Sequence, residues 1–448
     1  MYRKLERLVS LDEEDSLVSN SLPQEAPNRT VFLIILLLGL GLLTPWNVTI
    51  SSYPYFVELF SATDPVGSKL AFLMTSASTF PSLPLLFLMV WFGDMLSTRT
   101  RIVGACLVQA LLMILLPLCS SLSPYVPILL AALSGMTTSV LQSSVMGLVS
   151  SFPPTYSQGF MLGQGYAGIL ASFGQIIVQG FVVSGFTGNS PTYIYFAFAA
   201  SILASGAIGT VYLHAHPFAR PYLTLNSAEM NEKDSLLSLA ETPGGGYEDL
   251  DMDPTQIQGS ESASSLATSH RQLTQQASVS TLAVFKKSWK DLLTVFLVFL
   301  ITFLVFPGVM VYSTSYKGGF GSGSAYLGPG VFSGKWWTIL IIGLFNLFDT
   351  CGRSLPGYSS LVPHLSQKYL LPAVLLRALA VPIFLGCAWA WFPWMGDVLV
   401  LLTTIIFSFS NGYLASCKFK FTFYYDSVFM RFLRFPLTLT NPAPHSLA

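Results

Sequence analysis

The chain has 448 residues, 52% of them hydrophobic and 10% charged, and its mean hydropathy is +0.59, whereas an ordinary soluble domain carries about 25% charged residues. This composition excludes a soluble enzyme or binding module and defines an all-α polytopic membrane protein. Lysine plus arginine balance aspartate plus glutamate at 22 each, so there is no basic field to recruit nucleic acid.

Residues 1–29 are polar and include Asp12-Glu13-Glu14-Asp15, which predicts a cytosolic tail ahead of a first apolar segment that directs its own insertion. Residues 30–215 contain six runs long enough to span: Val31–Ile50, Leu70–Phe92, Ile102–Leu118, Val126–Phe152, Phe160–Val183 and Tyr193–His214. The first ends in Thr44-Pro45-Trp46-Asn47, where proline removes a backbone donor and is expected to break the helix. Trp46 there reads either as an interfacial belt residue or as a flat surface for a ligand. The fourth and fifth runs are rich in small and polar residues, among them Ser134, Gly135, Gln142, Gly163, Gln164, Gly165, Gly168 and Ser172. Such residues let helices approach closely and line an interior.

From 216 to 290 the composition turns to serine, threonine, glutamine and acidic residues, a stretch expected to be a disordered cytosolic loop. Within it Glu232 to Leu237 has the form of an acidic dileucine signal, a short pattern that also arises by chance. Four further segments are expected over 291–416: Leu292–Val311, Trp336–Leu361, Leu370–Trp391 with Arg377 inside, and Val398–Ser416.

The segment from Trp336 carries Phe345-Asn346-Leu347-Phe348-Asp349-Thr350-Cys351-Gly352-Arg353-Ser354. Taken as one helix to Leu361, it places Asp349 and Arg353 near the bilayer centre, at i, i+4 spacing and sharing a face with Asn346. Ionisable residues at membrane depth cost about 2.5–3.5 kcal/mol each on insertion scales and mark polar cavities. A substrate or gating site and an intrahelical structural ion pair are the two readings. With a cytosolic N-terminus, only Lys69, Lys317 and Lys335 fall on the outer side, against a large excess of lysine and arginine inside, which fixes the expected orientation. The five cysteines form no metal-ligand or CxxC spacing, and the histidines lie at or beyond segment edges. Neither a metal, a cofactor nor an enzymatic centre is expected.

Pro45-Trp46-Asn47, Gly163-Gln164-Gly165-Tyr166-Ala167-Gly168, Val305-Phe306-Pro307, the Phe345–Ser354 motif, Leu376-Arg377 and Ser410-Asn411-Gly412-Tyr413-Leu414-Ala415-Ser416 occur in the order seen in equilibrative nucleoside transporters. The chain resembles that family from about Val31 to Ser416. The resemblance implies a major-facilitator-like bundle of two halves and facilitated diffusion of nucleosides such as adenosine and uridine; the multi-pass protein is expected in the plasma membrane, with an endolysosomal membrane as the alternative. It further implies that Trp46 and Asn47 border the nucleobase, Gln164 hydrogen-bonds it, and Asp349, Arg353 and nearby Asn346 hold the ribose. The family bundle has six plus five spans. Here six plus four are expected, because residues 417–448 combine aromatic residues, basic residues and three prolines without a run long enough to span. Alternatives left open are a non-transporting isoform and a member preferring nucleobases or organic cations.

Overall fold

The computed structural model describes residues 27–61, 66, 69–92, 96–183, 190–223, 281–307, 309–310, 335–357, 367–389 and 396–425. Among them the regular structure is entirely helical: α1 Arg29–Ser51, α2 Tyr53–Ser61, α3 Leu70–Phe92, α4 Thr98–Cys119, α5 Tyr125–Val149, α6 Pro154–Val183, α7 Ser190–Ala215, α8 Thr281–Val305, α9 Lys335–Ser354, α10 Gln367–Arg377, α11 Ala380–Ala388 and α12 Gly396–Tyr425. Eight helical stretches in the described residues are long and apolar enough to cross a membrane, and Leu70–Leu86 and Leu293–Val305 are shorter apolar helices at two further expected spans. Each of the ten expected segments is thus represented by a helix. The dileucine pattern and residues 426–448 lie outside the described residues.

Several boundaries differ from expectation for physical reasons. The first helix does not break at Pro45 but runs on to Ser51. On either side of the proline, Thr44 donates its hydroxyl to the Leu40 carbonyl and Asn47 its amide to the Leu43 carbonyl, i to i−4 bonds that keep both polar side chains within the helix. The ninth segment is split instead of continuous, because Pro382 has no N–H and the chain tightens into i to i−3 bonds at Ala378, Leu379 and Val381. Arg377 stands at that break. The helix through Asp349 ends at Ser354 in a 3-10 turn over Leu355–Gly357, so it does not continue to Leu361. At 1.5 Å per residue Asp349 and Arg353 lie about 7 and about 13 Å past the helix midpoint, toward its C-terminal end and not at its centre.

The stretch expected to be a disordered loop is helical at its far end, where α8 starts at Thr281. Leu282, Ala283 and Lys286 are good helix formers, and no proline or glycine intervenes before the apolar run. At its near end, Phe218 and Tyr222 pack with Phe152 and Tyr156, ring centroids 5.3–6.2 Å apart. The last helix likewise continues past Ser416 to Tyr425, since nothing between them breaks a helix.

Tyr156 also fixes the start of α1. Its hydroxyl accepts the Asn28 backbone N–H at 3.0 Å, while the Asn28 side chain accepts from the N–H groups of Thr30 and Val31 as an N-cap. Tyr156→Phe deletes one bond that neither ring packing nor volume replaces. The expected result is a loss of about 1 kcal/mol of stability, seen as a lower Tm in detergent with function per folded molecule unchanged.

Helix pairing follows the small residues. The most extensive contacts are α1 with α6, α9 with α12, α3 with α5, and α4 with α7. Each of the first three crosses at glycine. A side chain at Gly39 or Gly163 would run into the Phe160 or Leu36 carbonyl, one at Gly135 into the Ser78 carbonyl, and one at Gly352 or Gly412 into the Phe409 or Asp349 carbonyl. The helix group before residue 224 meets the group after residue 280 mainly where α6 lies along α9, with α12 joining them.

Candidate functional site

The described buried charges are Asp349, Arg353 and Arg377, and one hydrogen-bonded chain connects all three. Arg353 Nε donates to Asp349 Oδ2 at 2.7 Å, the i, i+4 geometry expected from sequence. Arg353 Nη1 donates to Gln164 Oε1 of α6 at 3.0 Å. On the other side of the carboxylate, Asn411 Nδ2 of α12 donates to Asp349 Oδ1 at 2.7 Å. Asn411 Oδ1 accepts from Arg377 Nη2 at 3.1 Å and lies 2.7 Å from the Thr302 hydroxyl of α8. The chain therefore runs from α6 through α9 and α12 to α10 and α8.

The ion pair is held, not solvated. Asp349 and Arg353 are 7% and 4% exposed, and each carboxylate oxygen has a donor. Breaking such a pair by removing one partner leaves an uncompensated buried charge, at a cost of about 3–5 kcal/mol.

A second set of bonds closes α6 against α9. Gln158 Nε2 donates to the Arg353 carbonyl at 2.7 Å, and Asn346 Nδ2 donates to the Gly168 carbonyl at 3.1 Å and to Ser172 Oγ at 2.9 Å. Gly165 and Gly168 let the helices meet, because an added Cβ would stand 2.9 Å from the Thr350 side chain and 2.7 Å from that of Asn346. Beyond Asn346, toward the start of α9, Ser51, Ser172, Gln175, Thr338, Ile339 and Ile342 line a narrow crevice too tight to hold a water molecule.

Of the six residues singled out from sequence, Gln164, Asp349 and Arg353 are joined directly, and Asn346 lies one turn away on the same seam. Trp46 and Asn47 are not part of that chain. Trp46 packs edge-on against Phe303 of α8, centroids 6.2 Å apart, and Asn47 bonds within α1. The sequence reading did not assign Asn411, Thr302, Gln158 or Ser172 to the site, nor Arg377. The signal for Arg377 was present as a third charge inside an apolar segment.

Helices packed in two groups about a buried ion pair at their seam give a carrier-like membrane fold. The proton:xylose symporter XylE, of the major facilitator superfamily, shares it with a TM-score of 0.56 at 12% identity, over 88% of this chain and 81% of that one. The model of the nucleoside transporter family matches residues 128–423, and the chain belongs to that family. It is 29% identical over 429 residues to equilibrative nucleoside transporter 2 of Mus musculus, covering 87% of this chain and 89% of that protein. Against equilibrative nucleoside transporter 1 of Homo sapiens it is 27% identical over 429 residues, covering 87% and 88%.

Proposed function

We propose that this protein carries nucleosides across a membrane by facilitated diffusion, the two helix groups alternately opening the α6 and α9 seam to either side. The observation that carries this reading is the buried Asp349 and Arg353 pair placed where the groups meet and bonded across the seam to Gln164. A carboxylate is a double acceptor suited to vicinal ribose hydroxyls, a guanidinium is a fixed donor fork, and the Gln164 amide matches the mixed donor and acceptor edge of a base. Asn346 completes the polar wall, and Trp46 with Asn47 borders the base as the seam opens. The N-terminus lies in the cytosol, as the distribution of basic residues supports, and the resemblance to the family makes the plasma membrane the expected site of action. Saturable uptake of radiolabelled uridine or adenosine by the purified chain in proteoliposomes, accelerated by unlabelled nucleoside on the opposite side, tests the proposal. Uptake no faster than in protein-free vesicles would refute it.

Trp46→Ala separates two uses of the indole. As a base-stacking surface its loss costs about 1–3 kcal/mol, so the expected result is a KM raised about five-fold or more at unchanged surface abundance. An unchanged KM with reduced abundance would instead assign Trp46 to anchoring at the membrane interface.

A further inference from the structure

Arg377 makes no contact with the ion pair, yet it is 6% exposed and bonded on every side. Nε donates to Ser410 Oγ at 3.1 Å, Nη1 to the Val298 carbonyl at 3.2 Å, and Nη2 to Thr302 Oγ1 at 2.9 Å and Asn411 Oδ1 at 3.1 Å. The guanidinium lies over the Phe407 ring, 4.6 Å from its centroid. It thus cannot swing out to a ligand. What it does is decide which end of the Asn411 carboxamide faces which way. The cation tolerates only an acceptor opposite it, so the carbonyl oxygen must point to Arg377 and the NH2 must point to Asp349 Oδ1. Reversed, the amide would set its NH2 against a guanidinium and its oxygen against a carboxylate.

We propose that Arg377 is a positioning residue for the substrate site, acting through Asn411 to hold the Asp349 carboxylate in a fixed orientation. This rests on the transport reading of the Asp349 site. The other elements facing the relay contribute Arg353 from α9, Gln164 from α6 and Thr302 from α8, and Arg353 and Arg377 are the cations among them. With one carboxylate between two guanidiniums, Asp349 has each oxygen fixed before any substrate arrives, which is the preorganisation that lowers the cost of binding.

The test is a double-mutant cycle on uridine uptake in proteoliposomes, with KM and maximal rate read separately and Tm measured on the same preparations. Arg377→Gln leaves Asn411 free to flip and is expected to raise KM about ten-fold. Asn411→Ala removes the relay and is expected to do the same. The double variant is expected to be no worse than the weaker single, because one path is cut twice. Arg377→Lys keeps a cation against Asn411 Oδ1 and is expected to recover most of the affinity. A purely structural arginine predicts a lower Tm and fewer folded molecules with KM within two-fold of the unaltered chain. That result, or single effects on KM that multiply, overturns the proposal. Should Arg377→Gln fail to fold, the KM values of Arg377→Lys and Asn411→Ala decide: a near-normal KM in Asn411→Ala overturns it. Absence of uptake by the unaltered chain would take down the transport reading as well, and is distinguished from failure of the relay by that control.

Discussion

Asp349→Asn and Arg353→Ala are each expected to abolish nucleoside uptake while the protein still reaches the membrane. The carboxamide at 349 keeps shape but loses the charge facing Arg353 Nε at 2.7 Å, and it turns a donor toward either Arg353 or Asn411. Alanine at 353 leaves the carboxylate without its cation and strips Gln164 of its partner across the seam. Either change also costs about 3–5 kcal/mol of folding stability where the pair is buried, while uptake is expected to be lost because the carboxylate or guanidinium proposed to hold the ribose is gone. Uptake normalised to surface expression is the measurement. Near-normal uptake in either variant would return the pair to a structural role.

Gly412→Ala carries the second large effect, and it acts on the bundle instead of on the ligand. Glycine there lets α12 cross α9 with its backbone against the Asp349 carbonyl, and an added Cβ would overlap that oxygen and press on Arg353 N at 2.9 Å. Backbone atoms cannot step aside as a flexible side chain would, so α9 and α12 must separate. The expected outcome is a large drop in Tm and in folded yield, with the Asn411 to Asp349 bond lost. Gly147→Ala, where nothing lies within 4 Å, is the control expected to change neither. Equal stability of the two variants would show that this crossing is not close-packed.

The ten apolar segments were legible in the sequence because apolar length is a strong signal in a chain with so few charges. The pairing of Asp349 with Arg353 was legible too, since i, i+4 spacing settles it within one helix. What periodicity could not supply was any contact between helices: Asn411 and Asp349 are 62 residues apart, Arg353 and Gln164 189 apart. Pro45 and Pro382 look alike as letters, yet one lies inside a continuous helix while the other follows the break between α10 and α11. The helix end at Ser354 did have a signal, Pro356-Gly357 just beyond it, which the expectation of a single run to Leu361 passed over.

The seam between α6 and α9 is held by four hydrogen bonds: Gln158 to the Arg353 carbonyl, Arg353 to Gln164, and Asn346 to Gly168 and to Ser172. At about 0.5–1.5 kcal/mol net apiece, they favour the shut arrangement by about 2–6 kcal/mol. A gap of that size leaves the opened form a minority population and still lets a ligand of ordinary affinity invert the ratio. A seam of packed aromatic rings would be much harder to part. Closure by a few polar side chains across two glycines keeps the two arrangements close in free energy, so a nucleoside gradient alone can drive the cycle in either direction.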